Sequence, residues 1–421
     1  MNARLPTRLP AFASRDFRIF LAGQFISLIG TWMQTTVQAY LAYRITGQPI
    51  YLGIIGMAST LPTLLFTLPG GVWVERLDKR KVVIVLQAVM MVQAFALAAL
   101  TLAGVVTIWH IVLLAFVLGA ANSIEITARQ AMLIELVGRD ALPNAIALQS
   151  TAFNVARVLG PALAAPLLVI FTSNGEGWAF FVNGVSYLVV ILGLFAIHPA
   201  PRNAQVGSPG QPGMLSQFRE GQRYIRQTVL VLLVILMAAV PGLLAFPVIQ
   251  QVPAIARDVL QQPGDTDALV AARNSAMVTA QGAGALIAAL MLTLFGNIRR
   301  KGLLMMAGQF AFSIALIGIA LSRQIATTLP MMMLFGWGTV TALATSNTVI
   351  QLVVPDELRG RVISTYLWAL QGIAPFGSLL IGAIAQAAGV PLAALLAGVS
   401  CLVFYLVMVF RSPALRQFST A

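Results

Sequence analysis

Twelve stretches of this chain are apolar over 20 or so residues, and the gaps between them alternate between rich and poor in basic residues. They run roughly over 17–43, 50–74, 82–104, 108–128, 144–171, 178–197, 228–250, 268–296, 303–322, 327–354, 362–387 and 391–410. A helix needs about 20 mostly apolar residues to cross a bilayer. Each stretch therefore predicts one transmembrane helix. Of the 26 Lys and Arg residues, 21 fall in the tails and every second gap: 1–18, 75–81, 129–143, 202–226, 299–301, 359–361 and 411–416. The opposite gaps hold only Arg44, Arg257 and Arg323. Basic residues mark the cytoplasmic face. The pattern predicts an all-α, multi-pass membrane protein with both termini cytoplasmic.

Charge content agrees. Only 9% of residues are charged and 59% are hydrophobic, against about 25% charged in soluble proteins. The net charge of +13 is spread over short loops, which argues for an anionic lipid leaflet as partner and against nucleic acid. Cys401 is the single cysteine, so no disulfide framework or cysteine metal site is expected. His110 and His198 lie at span ends without metal-type neighbours, and no cofactor is expected. The basic N-terminus runs into a stretch long enough to span, which reads as a cytoplasmic tail and not a cleaved signal. No G-x-x-x-x-G-K-[ST] phosphate loop occurs, so an ion gradient is the expected energy source.

The longest polar interval, 198–227, is rich in Pro, Gly and Ser and reads as a linker, its later part 218–226 as a short amphipathic helix. It divides the chain into an N-terminal half, 1–197, and a C-terminal half, 228–421, of six spans each. A weak repeat supports the division. Residues 76–87 resemble 298–309, with Lys79 matching Lys301 and Gln87 matching Gln309. Two six-helix halves are the usual architecture of a secondary transporter.

The segment G-G-V-W-V-E-R-L-D-K-R-K at 70–81 resembles the loop between spans two and three of the major facilitator superfamily. Glu75 takes the family's Asp position, Arg76 the basic position after it, Asp78 replaces the second Gly, and Lys79, Arg80 and Lys81 supply the basic end. E-I-T-A-R-Q-A-M-L-I-E-L-V at 125–137, R-V-L-G-P-A-L at 157–163 and P-D-E-L-R-G-R-V at 355–362 resemble the superfamily's branch of enterobactin exporters and macrolide and drug efflux proteins. The resemblance implies the twelve-helix major facilitator fold, a monomer, and export of an amphipathic small molecule by proton antiport. It implies a cytoplasmic gate built from Glu75, Arg76, Asp78 and Arg80, with Arg359 and Arg361 as the second-half counterpart. Two departures stand out. Gly160 and Pro161 are followed by Ala164 and Ala165 where drug antiporters often carry a Gly pair. Ala115 precedes Gly119 where many proton-coupled relatives carry Arg.

Ionisable residues inside a membrane are costly and mark function by default. Glu125 and Arg129 are four apart and share a helix face. They form either a proton-titrating or gating pair, or a structural ion pair. Arg157 lies inside span five beside Asn154, placed to bind an anionic group or to pair with Glu125. Arg273 reads as a snorkelling edge residue. Gln34 and Gln38 share a face of span one, near Trp32 and Thr35. Spans ten and eleven offer Trp337, Asn347, Tyr366, Trp368 and Gln371. These amides and aromatics suit a large, partly apolar ligand, or they bond helix to helix. Trp73, Trp109 and Trp178 read as interfacial anchors.

The expected function is secondary active transport by alternating access, with protons and an amphipathic small molecule as partners. Uptake, or movement of lysophospholipid or another lipid or metabolite, stays open on the same fold. A membrane enzyme would need a nucleophile, base or metal set at one depth, and none is present. A receptor would need a soluble domain to pass on a signal, and none is evident.

Overall fold

The computed structural model describes residues 9–171, 174–197, 214–294 and 300–411, with backbone alone at 68, 71, 72, 75, 76 and 214–218. Among these residues every regular element is helical. The first six spans are α1 (Arg15–Thr46), α2 (Pro49–Arg76), α3 (Lys79–Leu102), the two arms of α4 (Ile108–Ile170) and α5 (Gly175–Ala196). After the short α6 (Met214–Gln227) come α7 (Val229–Leu244), α8 (Asp267–Leu294), α9 (Lys301–Leu321), α10 (Ile325–Val353), α11 (Asp356–Leu367), α12 (Ala374–Ala388) and α13 (Val390–Arg411). Ten described segments are long and apolar enough to span. One of them is α4, which makes two crossings, and the amide- and hydroxyl-rich α1 completes the twelve.

The boundaries differ from the sequence reading where helix chemistry intervenes. The gap expected at 129–143 is itself helical. The arms of α4 meet at Gly138, whose φ of 76° lies in the region glycine enters without a Cβ penalty. Span seven continues past α7 through 3₁₀ and π turns to Val259. Pro241, Pro247 and Pro253 each remove a backbone donor there and block a regular α ladder. Span eleven is α11 and α12 joined by a π turn at Trp368–Gly372.

The surface is inverted relative to a soluble protein. On α3, Val83, Gln87, Met90, Ala94, Leu97 and Thr101 are buried at helical spacing, while Val85, Val89 and Val92 stand open on the opposite face. Amides inside and valines outside suit a lipid solvent, because a buried amide finds a partner on a neighbouring helix and hydrocarbon offers none.

The helices form two compact units, Met1–Leu41 with Pro62–Gln205, and Ala42–Leu61 with Val206–Ala421. In the first unit α3 packs on α5 and α4. Its core gathers Phe17, Phe20, Val83, Met132, Leu133 and Leu194. In the second unit α10 packs on α8 and α9, and α9 on α13. There the Tyr43 hydroxyl donates to Asp258, and Gln251 Nε2 donates to the Pro49 carbonyl at 3.3 Å. The expected amphipathic helix is present as α6. It buries Ile225 in the second unit's core. Gln222 Nε2 donates to Thr365 Oγ1 of α11 at 2.9 Å.

The sequence repeat has structural counterparts. Lys79 opens α3 and Lys301 opens α9. Gln87 and Gln309 are both buried. Gln87 Nε2 donates to Glu125 at 3.2 Å, and Gln309 Nε2 donates to the Met237 carbonyl of α7 at 2.5 Å.

Candidate functional site

Helix α1 and the second arm of α4 approach closely at Gly160. A Cβ there would lie 2.5 Å from Trp32 Cβ and 2.7 Å from the Ile29 carbonyl oxygen. This approach, which only a small residue permits, brings Trp32 against the arm one turn earlier. Phe153 packs edge-on against Trp32 at 5.5 Å between centroids. The Arg157 guanidinium sits over the indole, 5.9 Å from its centroid. Arg157 Nε and Nη2 are shut off from solvent and have no hydrogen-bond partner. Asn154 is half-buried, and its amide nitrogen donates to the Ser150 carbonyl at 2.8 Å within its own helix.

Glu125 is a buried acid, 1% exposed. Its Oε2 accepts from Arg129 Nε at 3.2 Å, and its Oε1 from Gln87 Nε2 at 3.2 Å. Both carboxylate oxygens are thus occupied by α3 and α4. Arg157 forms no ion pair with Glu125. Nearby, Lys79 and Glu135 approach to 3.8 Å.

The structure separates two amides that the sequence placed together. Gln34 is fully buried. Its Nε2 donates to Gln93 Oε1 at 3.0 Å, and its Oε1 accepts from Asn183 Nδ2 at 2.7 Å. That is the helix-bonding arrangement. Gln38 is also buried, but its Oε1 has no partner. Gln93 and Asn183 escaped the sequence reading, though both are amides inside apolar spans and the same rule would have found them. Phe153 carried no such signal, since one aromatic among apolar residues is ordinary.

The residues of the expected cytoplasmic gate also resolve into roles. The side chains of Glu75 and Arg76 lie outside the described residues. Asp78 caps the start of α3, accepting from the Lys81 backbone N–H at 3.2 Å. Arg80 donates from Nε to the Leu194 carbonyl at 2.7 Å and from Nη2 to the Phe195 carbonyl at 3.0 Å. These carbonyls end α5, where a cation complements the helix dipole. Arg80→Ala is expected to cost about 1–2 kcal/mol of stability. Thermal melting in detergent checks it, and an unchanged midpoint would remove the cap as a contributor.

In the second unit, Arg359 pairs with Asp356 at 2.5 Å on its own helix, and Arg361 pairs with Glu220 of α6. Tyr366 is buried and donates to the Leu343 carbonyl at 3.1 Å. Trp337 is half-buried, while Trp368 and Gln371 are exposed on the π turn. Asn347 Oδ1 accepts from Gln351 Nε2 at 3.0 Å within α10. Arg273, near the start of α8, bonds to the loop that precedes its helix. It donates to the Leu260 carbonyl at 2.9 Å and to both oxygens of Asp265. That hydrogen-bonding, with the Gln262 backbone N–H, holds the Asp265 carboxyl below the ordinary carboxylate range.

Helices that cross a membrane twelve times with polar groups turned inward have the architecture of a polytopic transporter, and the matching family profile and relatives are transporters of the major facilitator superfamily, not enzymes. The chain belongs to the transmembrane secretion effector family, whose profile matches residues 7–420. It is 23% identical over 409 residues to the staphyloferrin A transporter of Staphylococcus aureus, covering 95% of this chain and 97% of that protein. It is 24% identical over 387 residues to the multidrug efflux pump Tap of Mycolicibacterium fortuitum, covering 91% and 92%. It is 24% identical over 396 residues to the enterobactin exporter EntS of Escherichia coli, covering 91% and 87%. Among solved structures, a bacterial homologue of the human lysosomal transporter Spinster, inward-facing and unoccupied, superposes with a TM-score of 0.70. It has 15% identity and covers 96% of this chain and 98% of that one. The nucleoside transporter NupG gives 0.70 at 10% identity, covering 94% and 98%. At these identities the structural likeness is one of fold.

Proposed function

We propose that this chain exports an amphipathic small molecule by alternating access, driven by inward proton flow, as a monomer in the bacterial plasma (inner) membrane with both termini cytoplasmic. The working halves are 1–197 and 228–421, joined by 198–227. The observation that carries the coupling is Glu125, a carboxylate 1% exposed and held between Gln87 and Arg129. Carboxylates inside a span are the usual carriers of protons through a transporter. Trp32 and Arg157 supply the aromatic and polar contacts for substrate. The efflux and exporter names among the relatives favour outward transport. Bilayer lipids contact the open apolar faces, and the cytoplasmic gate is assigned to 75–81 and 356–361.

The test is purified protein in sealed vesicles, loaded with a panel of drugs and siderophores under an imposed proton gradient. Protein-dependent movement that stops when the gradient is collapsed is expected. No movement in either direction, or movement indifferent to the gradient, would overturn the proposal.

Lipid transport stands as the second reading because of one feature. A groove of about 530 Å³ in the first unit is lined almost wholly by apolar side chains, among them Ile26, Ile29, Met33, Leu163 and Val185. It would accept an acyl chain. Fluorescent lysophospholipid moving in the same vesicles, while drugs and siderophores do not, would select this reading.

A further inference from the structure

A guanidinium presents two donors in parallel along the edge made by Nε and Nη2. That fork matches the two oxygens of a carboxylate or the oxygens of a phosphate. In Arg157 these are the two nitrogens that are buried and unpartnered. The rest of the chain does not satisfy them. No described carboxylate pairs with Arg157, and Glu125 has both oxygens committed to Gln87 and Arg129. Trp32 meets the guanidinium at the ring and offers its π-face. Such a contact offsets part of the cost of a desolvated cation but leaves the in-plane donors unfilled. The close approach of the helices at Gly160 sets the Trp32 Cβ against this arm.

We infer that Arg157 and Trp32 form an anion-binding subsite for an amphipathic solute whose carboxylate or phosphate docks on the Nε/Nη2 edge. The ligand's apolar or aromatic body packs beside Trp32 and Phe153. The edge is dry in this conformation, so a ligand reaches it when the guanidinium swings off the indole or the two helices part. Binding and the conformational step are then one event. The inference rests on the transporter reading and adds to it that the substrate is an anion.

The test measures binding at equilibrium, without a gradient. Purified full-length protein in phosphatidylcholine nanodiscs is dialysed against 1-naphthaleneacetate, its amide 1-naphthaleneacetamide and the cation 1-naphthylmethylammonium. The carboxylate is expected to bind about 10- to 100-fold tighter than the amide, as a charge-assisted bidentate contact requires. Arg157→Gln should abolish that difference. Arg157→Lys, which keeps charge but loses the fork, should keep only part of it. Both variants are first shown to be monodisperse with unchanged melting.

Equal binding of carboxylate and amide, tightest binding of the cation, no binding of the carboxylate, or a preference that survives Arg157→Gln would each overturn the inference. Adding phosphatidylglycerol to the discs should leave naphthaleneacetate binding unchanged. Competition by that lipid would assign the edge to a headgroup and overturn the solute reading. An Arg157-dependent anion preference in a protein that moves nothing down a proton gradient would sink the exporter proposal alone. Gradient-driven efflux with no anion preference would sink this inference alone.

Discussion

Glu125→Gln is expected to cut proton-driven transport by about tenfold or more, the loss of some 1.4 kcal/mol of coupling, while leaving the amount of protein in the membrane nearly unchanged. Gln is close to Glu in shape and keeps an oxygen for the Gln87 amide at 3.2 Å. What it removes is the titratable charge facing Arg129. Breaking a buried ion pair ordinarily destabilises because the remaining charge stays buried. Arg129 has a long, partly exposed stem and can carry its charge toward the headgroups, which limits that cost. The double variant Glu125→Gln/Arg129→Gln separates the two roles. If the pair only anchors the helix, removing both charges restores transport. If Glu125 carries protons, transport stays low. Unchanged flux in the single variant, or full rescue in the double, would take Glu125 out of the mechanism.

Gly336→Val is expected to lower stability by about 3 kcal/mol, the upper range for forcing side-chain volume into a packed contact. A Cβ at Gly336 would fall inside the Gln281 carbonyl oxygen, and one at Gly284 inside that of Met333. Two glycines on facing helices therefore let the backbones of α8 and α10 touch. Because one separation of the helices relieves both clashes, Gly284→Ala/Gly336→Ala should cost clearly less than the sum of the single changes. Thermal unfolding in detergent reads both effects. A Gly336→Val protein that melts with the parent would show that the two helices part without penalty.

Hydropathy and charge carried far into the fold. They placed most of the spans within a few residues, spans four, seven and eleven running further than expected, and predicted the amphipathic segment that became α6. The match of Lys79 with Lys301 and Gln87 with Gln309 marked equivalent places in the two halves, and in the structure both lysines open helices and both amides are buried. The charged residues of the chain were visible as candidates for the same reason, since charges are rare in apolar stretches. Their partners were not visible. Gln34 and Gln38 lie on one helix face, yet Gln34 is consumed by Gln93 and Asn183 while Gln38 Oε1 is left without a partner. Arg80 reads as a loop charge, yet it caps α5, 114 residues away.

By itself, then, the sequence determined that the chain crosses a membrane twelve times, which face is basic, and which polar residues must find partners in an apolar medium. These follow from transfer free energies that each residue carries locally. Only the tertiary structure decided which partner each one meets, because that depends on how every helix is rotated against its neighbours. It assigned Glu125 to Arg129 and Gln87, tied Arg80 and Tyr366 to backbone carbonyls, and left the Arg157 fork unfilled beside Trp32.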